Sequence, residues 1–248
     1  MPQENFLLAT ERLIQEKFNN FRCGFVGGSY VSGKNHKFSD VDLWLIFNND
    51  EIEPRRMSFI YQGIAFEVFL NTPDSLVAFF DYDRVLGVAA NCDAACNSII
   101  LGPDQELAQK IRRHAAQLIA AGPTPLTPED MEDRRYAITA AIKSIQSLKK
   151  GGELMGILSD LYVRLADFYL RANCKWSGKG KYLIRKLRHD FPQLADRYEK
   201  AFEKAFNGKS QKLIQLMDDM LMPFGGRHFE GYERFAVKID KPSDQAAA

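Results

Sequence analysis

An apolar run that ends in Gly27-Gly28-Ser29 is followed, after ten residues, by Asp40-Val41-Asp42 and then by Leu43, Trp44, Leu45, Ile46 and Phe47. Adjacent glycines after Phe25 and Val26 mark a sharp turn, because glycine reaches positive φ at no steric cost and lets backbone approach a ligand closely. The run from Asp40 reads as a strand, in which residues i and i+2 point to the same face. Asp40 and Asp42 are therefore expected side by side, with Val41 and Leu43 toward the core. Two parallel carboxylates at the mouth of a buried strand repel each other unless a cation lies between them. An all-oxygen pair suits magnesium, which takes one or two carboxylates together with substrate phosphates. The Gly27-Gly28-Ser29 turn offers backbone N–H groups and the Ser29 hydroxyl as an anion cradle, sharpened if a short helix starts at Tyr30. A metal site beside a phosphate cradle points to a bound nucleoside triphosphate.

A third carboxylate comes from Ile64 to Leu70, an apolar strand whose one charge is Glu67. By itself Glu67 reads either as a ligand or as an exposed residue on a half-buried face, since charges in strands are usually solvated. Beside the aspartate pair the ligand reading gains weight. On Gly28-Ser29, the spacing to Ser39-Asp40-Val41-Asp42-Leu43 and the later strand with Glu67, the sequence resembles the nucleotidyltransferases of the DNA polymerase beta superfamily. Within that superfamily it is most similar to two-domain bacterial enzymes such as the aminoglycoside adenylyltransferases and kanamycin nucleotidyltransferase. The motif covers about the first third of the chain. The resemblance implies Asp40 and Asp42 as metal ligands and Glu67 as third ligand or general base. It also implies an α+β fold, with a nucleotidyltransferase domain of mixed sheet and flanking helices followed by an all-helical bundle.

The rest of the chain divides in the same way. Residues 4–19 carry an amphipathic helix pattern. Residues 55–61 and 64–70 read as strands of a hairpin joined at Gln62-Gly63, and Thr72-Pro73 as the cap and first turn of a helix. Ser98 to Leu101 is a short apolar run closed by Gly102-Pro103, and a basic amphipathic helix follows to about Ala121. Between Gly122 and Pro128 stand Pro123, Pro125 and Pro128, which neither a helix interior nor a central strand accommodates. Segments 128–149, 153–172, 179–189, 192–206 and 210–221 then repeat apolar residues at helical spacing. The expected domains are 1–122, catalytic, and 123–248, helical, with a frayed tail after Phe235.

Composition excludes several classes. With 33 basic and 32 acidic residues the net charge is +1, which argues against a nucleic-acid partner. No apolar run approaches a membrane span, and the N-terminus lacks the basic start and apolar stretch of a signal peptide. Of the four cysteines, Cys92 and Cys96 share a helix face, but two ligands do not make a zinc site. Free thiols in a cytoplasmic protein are expected, and His36, His114, His189 and His228 read as surface residues. A homodimer is compatible with all of this.

Two further stretches bear on substrate. Lys175 to Arg188 holds a run of bases in which Lys181, Arg185 and Arg188 share one helix face opposite Leu183, Ile184 and Leu187. It reads as a cationic wall for the triphosphate or as a solvated helix face. The resemblance favours Lys181 on the nucleotide, with Arg185 beside it and Lys175 as the substitute. Lys34 and Lys37 read as surface residues with occasional phosphate contact. Glu129 to Asp133 is an acidic patch that would suit a polyamine acceptor, or simply favours the helix dipole. Aromatics such as Trp44, Tyr162, Phe168, Tyr169 and Trp176 are expected mostly in the core. The expected activity is magnesium-dependent transfer of AMP from ATP (or another nucleoside triphosphate) to the hydroxyl of a small acceptor in an interdomain cleft, releasing pyrophosphate. The acceptor that the resemblance implies is aminoglycoside-like. A protein adenylyltransferase of a toxin–antitoxin pair and a non-catalytic nucleotide sensor are the alternatives, the latter disfavoured by three clustered acids.

Overall fold

The computed structural model describes residues 3–31, 33 and 39–235, so Lys34, His36, Lys37 and the tail after Phe235 lie outside the described residues. The fold is α+β, with a mixed sheet and its helices first and helices thereafter. Strands β1 (Cys23–Gly27), β2 (Asp40–Ile46), β3 (Arg55–Tyr61), β4 (Ile64–Asn71) and β5 (Ile99–Leu101) form one sheet in the order β3-β4-β2-β1-β5. The β2–β4 pair is parallel and the other pairs are antiparallel. The hairpin turns through Gln62 and Gly63, both at positive φ (49° and 76°), as the glycine in the second position allows.

The sheet is covered on both faces. Helix α1 (Gln3–Lys17) lays Phe6, Leu13 and Ile14 on one face, against Val26, Val41, Leu43, Phe66 and Val68. The opposite face carries α2 (Pro73–Leu86), α3 (Ala90–Asn97) and α4 (Gln105–Ala121), whose Leu76, Phe80, Cys92, Ala108 and Ile111 pack with Phe25 and Ile46. Thr72 caps α2 through a reciprocal box with Ser75, with Pro73 in the first turn, where its missing N–H costs nothing. Helix α3 has no local cap. Its Asn91 and Cys92 N–H groups instead donate to the buried Asp83 carboxylate of α2, at 2.7 and 3.0 Å.

The chain after Thr127 is helical: α5 (Pro128–Ser147), α6 (Gly152–Ala172), α7 (Lys181–Asp190), α8 (Pro192–Phe206) and α9 (Gln211–Leu221). Two compact units result. One comprises residues 1–126 and 166–195, and the other residues 127–165 and 196–248. Helix α7 thus belongs with the sheet. In the first unit Arg171 is 4% exposed and donates from Nη2 to the Thr124 and Val85 carbonyls, at 2.9 and 3.3 Å. Gly87 ends α2 in the left-handed region (φ 72°), and a Cβ there would fall 1.9 Å from Arg171 Nη1. The Trp176 N–H donates to the Ile119 carbonyl at 3.0 Å. In the second unit, Ile138, Ile142, Leu158, Leu161, Tyr198 and Met217 are buried at helical spacing on their elements. No helix among the described residues is long and apolar enough to cross a membrane.

Candidate active site

Strand β2 lies mid-sheet, and its register with both neighbours builds the site. Gly27 of β1 is opposite Asp42, Asp42 is opposite Glu67 of β4, and Glu67 is opposite Ser58 of β3. Since Val41, Leu43 and Val68 turn toward α1, alternation puts Asp40, Asp42 and Glu67 together on the other face. Each offers a carboxylate oxygen within 4.8 Å of the others, the one group of potential metal-ligating side chains found among the described residues. Asp40 is exposed, and Asp42 and Glu67 are half-buried.

The turn after β1 presses directly on this cluster. Gly28 sits at φ 88°, and a Cβ built on it would lie 2.6 Å from Asp42 Oδ2 and 3.5 Å from the Asp40 carbonyl. Only glycine lets the backbone come this close at this φ. Residues 29–31 form a turn, not the start of a helix, with Ser29 half-buried and the Gly33 N–H donating to the Tyr30 carbonyl at 3.4 Å.

The charges are unevenly shared. Burial, then the neighbouring Asp40 and Glu67 carboxylates, push the Asp42 pKa up from 3.8 to about 6, while Arg56 and Lys181 pull it back. Lys181 is the first residue of α7, in the same unit as the sheet, and its charge is felt at Asp42. Arg185 lies one turn along, and the two cations flank the Tyr182 ring at 5.5 and 5.2 Å from its centroid. Lys186 is engaged with Asp93 at 3.2 Å. Lys175 is exposed ahead of α7.

Three acids of the stretch 129–133, Asp130, Glu132 and Asp133, are engaged within their own unit. Asp130 closes a capping box with Thr127, and Arg234 pairs with Glu132 and Asp133 at 3.0 and 2.6 Å. The Tyr232 hydroxyl also donates to Asp133 at 3.0 Å. The dipole and capping reading of these acids therefore has the contacts, and a free anionic surface for a polyamine does not.

Two residues on the acidic face escape a reading by composition. Arg56 of β3 donates from Nε (2.6 Å) and Nη2 to Glu67 Oε1, and its guanidinium lies 5.3 Å from the centroid of the Phe69 ring. Phe69 in turn stacks on Trp44, with centroids 4.9 Å apart. The signal was present in the hairpin. Counting outward from Gln62-Gly63 sets Ser58 opposite Glu67 and Arg56 opposite Phe69, on the face that Glu67 uses.

Residues 24–82 match the family model of the nucleotidyltransferase domain, a span that includes the Gly27-Gly28-Ser29 turn, Asp40, Asp42 and Glu67. The match supports a transferase that carries out nucleotidyl transfer. Among solved structures the chain is similar to a nucleotidyltransferase-like protein from Exiguobacterium sibiricum 255-15, at 11% identity and a TM-score of 0.43, over 87% of this chain and 74% of that one. No curated protein matches the chain.

Proposed function

We propose that this chain moves a nucleoside monophosphate, AMP from ATP, to the hydroxyl of a small acceptor and releases pyrophosphate. The observation that carries the proposal is the convergence of Asp40, Asp42 and Glu67 within 4.8 Å of one another, beside a glycine turn that closes on the Asp42 carboxylate. The donor set fits a hard divalent cation. All three ligands are carboxylate oxygens, and an Asp42 destabilised by its acidic neighbours is relieved by positive charge. Magnesium bound there would polarise the α-phosphate and neutralise the charge that builds on the departing pyrophosphate.

The chain's own groups divide the remaining work. Asp40 and Asp42 hold the cation on adjacent same-face positions of one strand, both paired with β4 and Asp42 also with β1, so their spacing is fixed by the sheet. Glu67 completes the oxygen set from the next strand. The backbone at Gly28 and the Ser29 hydroxyl orient the β- and γ-phosphates close to the cation. Lys181 adds positive charge from α7, with Arg185 a turn beyond for the triphosphate's outer charge. An aminoglycoside-like acceptor rests on the family resemblance alone, and Asp130, Glu132 and Asp133 are already partnered.

The test is a thermal-shift panel of four nucleoside triphosphates with and without magnesium, on wild type and Asp42→Asn, followed by pyrophosphate release with candidate acceptors. A ligand at a hundredfold its dissociation constant stabilises by about 2.7 kcal/mol. Stabilisation that needs magnesium and is absent in Asp42→Asn is expected. Equal stabilisation of both proteins would refute the metal assignment.

A further inference from the structure

The Arg56–Glu67 contact is one-sided. Both Nε and Nη2 of Arg56 donate to the same atom, Glu67 Oε1, and no partner engages Oε2 among the described residues. A guanidinium fork usually spans both oxygens of a carboxylate. Here it grips one and leaves the other, on a side chain only 19% exposed that offers an oxygen to the Asp40–Asp42 pair. The grip itself has a fixed base. Arg56 lies across the Phe69 ring, Phe69 stacks on Trp44, and these residues occupy successive strands at one level of the sheet. A flat guanidinium on an aromatic face loses less freedom per hydrogen bond than a flexible ammonium would.

We propose that Arg56 is a positioning residue for Glu67, holding Oε1 so that Oε2 is presented to the cation bound by Asp40 and Asp42. The inference rests on the metal reading above. It favours the ligand role of Glu67 over proton transfer, because a guanidinium on one oxygen and a cation on the other engage the carboxylate from both sides. Arg56 itself touches neither nucleotide nor acceptor in this role.

Charge and geometry predict opposite signs, which makes the role measurable without turnover. If Arg56 acted only as a charge beside the site, its removal would strengthen cation binding. If it positions a ligand, removal weakens binding, since partners that orient metal ligands are typically worth about 10- to 100-fold in affinity. Mn²⁺ is titrated, without nucleotide, into wild type, Arg56→Met, Arg56→Lys and Asp42→Asn, and the free ion is read by electron paramagnetic resonance. Arg56 lies on an edge strand with its side chain 65% exposed, so the substitutions leave the core untouched. The expected result is about a tenfold loss of Mn²⁺ affinity in Arg56→Met. Arg56→Lys should lose affinity too, because it keeps the charge and forfeits the planar fork. Unchanged or tighter binding in Arg56→Met, with Asp42→Asn defective, would overturn this inference and leave the metal site standing. Wild-type binding no better than that of Asp42→Asn would overturn both.

Discussion

Asp42→Asn should stabilise the metal-free protein at neutral pH even as it ends transfer. Folding moves this carboxylate from an ordinary pKa of 3.8 to about 6, chiefly through burial and then through Asp40 and Glu67. Between those values the native state binds more protons than the unfolded chain. The contribution of this group to stability is therefore full below 3.8 and is lost as pH rises through about 6. At about 1.36 kcal/mol per tenfold change in proton affinity, the whole displacement is about 3 kcal/mol. The side chain is only half-buried and water screens it, so about 1–2 kcal/mol is the expected gain on removing the charge. Asparagine keeps the size and polarity of the side chain and removes the repulsion. The assay is thermal melting with a chelator present, from about pH 4 to about pH 8. The two proteins should melt together at the acid end and diverge by a few degrees above pH 6, the variant higher. Magnesium should then close the gap by stabilising wild type alone. A pH-independent gap, or a variant that melts lower at neutral pH, would refute the electrostatic reasoning.

Other outcomes follow from single contacts. Gly28→Ala should cost about 1–2 kcal/mol for its positive φ and abolish Mn²⁺ binding, because the added methyl meets Asp42 Oδ2; melting and metal titration read the two effects separately. Gly87→Ala should be more damaging, by about 3 kcal/mol or more in denaturant unfolding, since its Cβ collides with the buried Arg171 guanidinium. Lys181→Met should raise the pH at which Asp42 ionises above about 6 and weaken nucleotide binding about tenfold, checked by nucleotide titration over pH. Alkylation by a thiol reagent at neutral pH should modify Cys174 first, because it is exposed while burial pushes Cys23 and Cys92 up to about 12.

What the sequence made legible was whatever is written locally. Apolar spacing located helices α5 to α9, and Thr72-Pro73, Gln62-Gly63 and the prolines after Gly122 marked real ends of elements. The aspartate pair was legible because alternation along β2 fixes Asp40 against Asp42 without knowledge of the neighbours, whereas the place of Glu67 beside them depends on the β2–β4 pairing. Helix α3 was not. Its sequence, Ala90 to Asn97, is short, rich in small residues and weakly patterned, and its N-terminus is satisfied by Asp83 from a different helix. Nor could pattern alone show that β2 and β4 run parallel, or that Ile99–Leu101 pairs with β1, because such pairings depend on where the chain returns. Arg56 fell between the two cases. Its partner was fixed by the hairpin register, but a basic residue on an edge strand also has a simpler use in discouraging edge-to-edge association.

The Trp44–Phe69 stack has an optical consequence. The chain has two tryptophans, and Trp176 is buried with its N–H bonded to Ile119, whereas the Trp44 N–H is buried without an acceptor among the described residues. In a Trp176→Phe background all indole emission would come from the floor beneath Arg56 and Glu67. The protein thus carries its own fluorophore one residue pair below its acidic cluster, and the colour and intensity of its emission report the state of that cluster with no label attached.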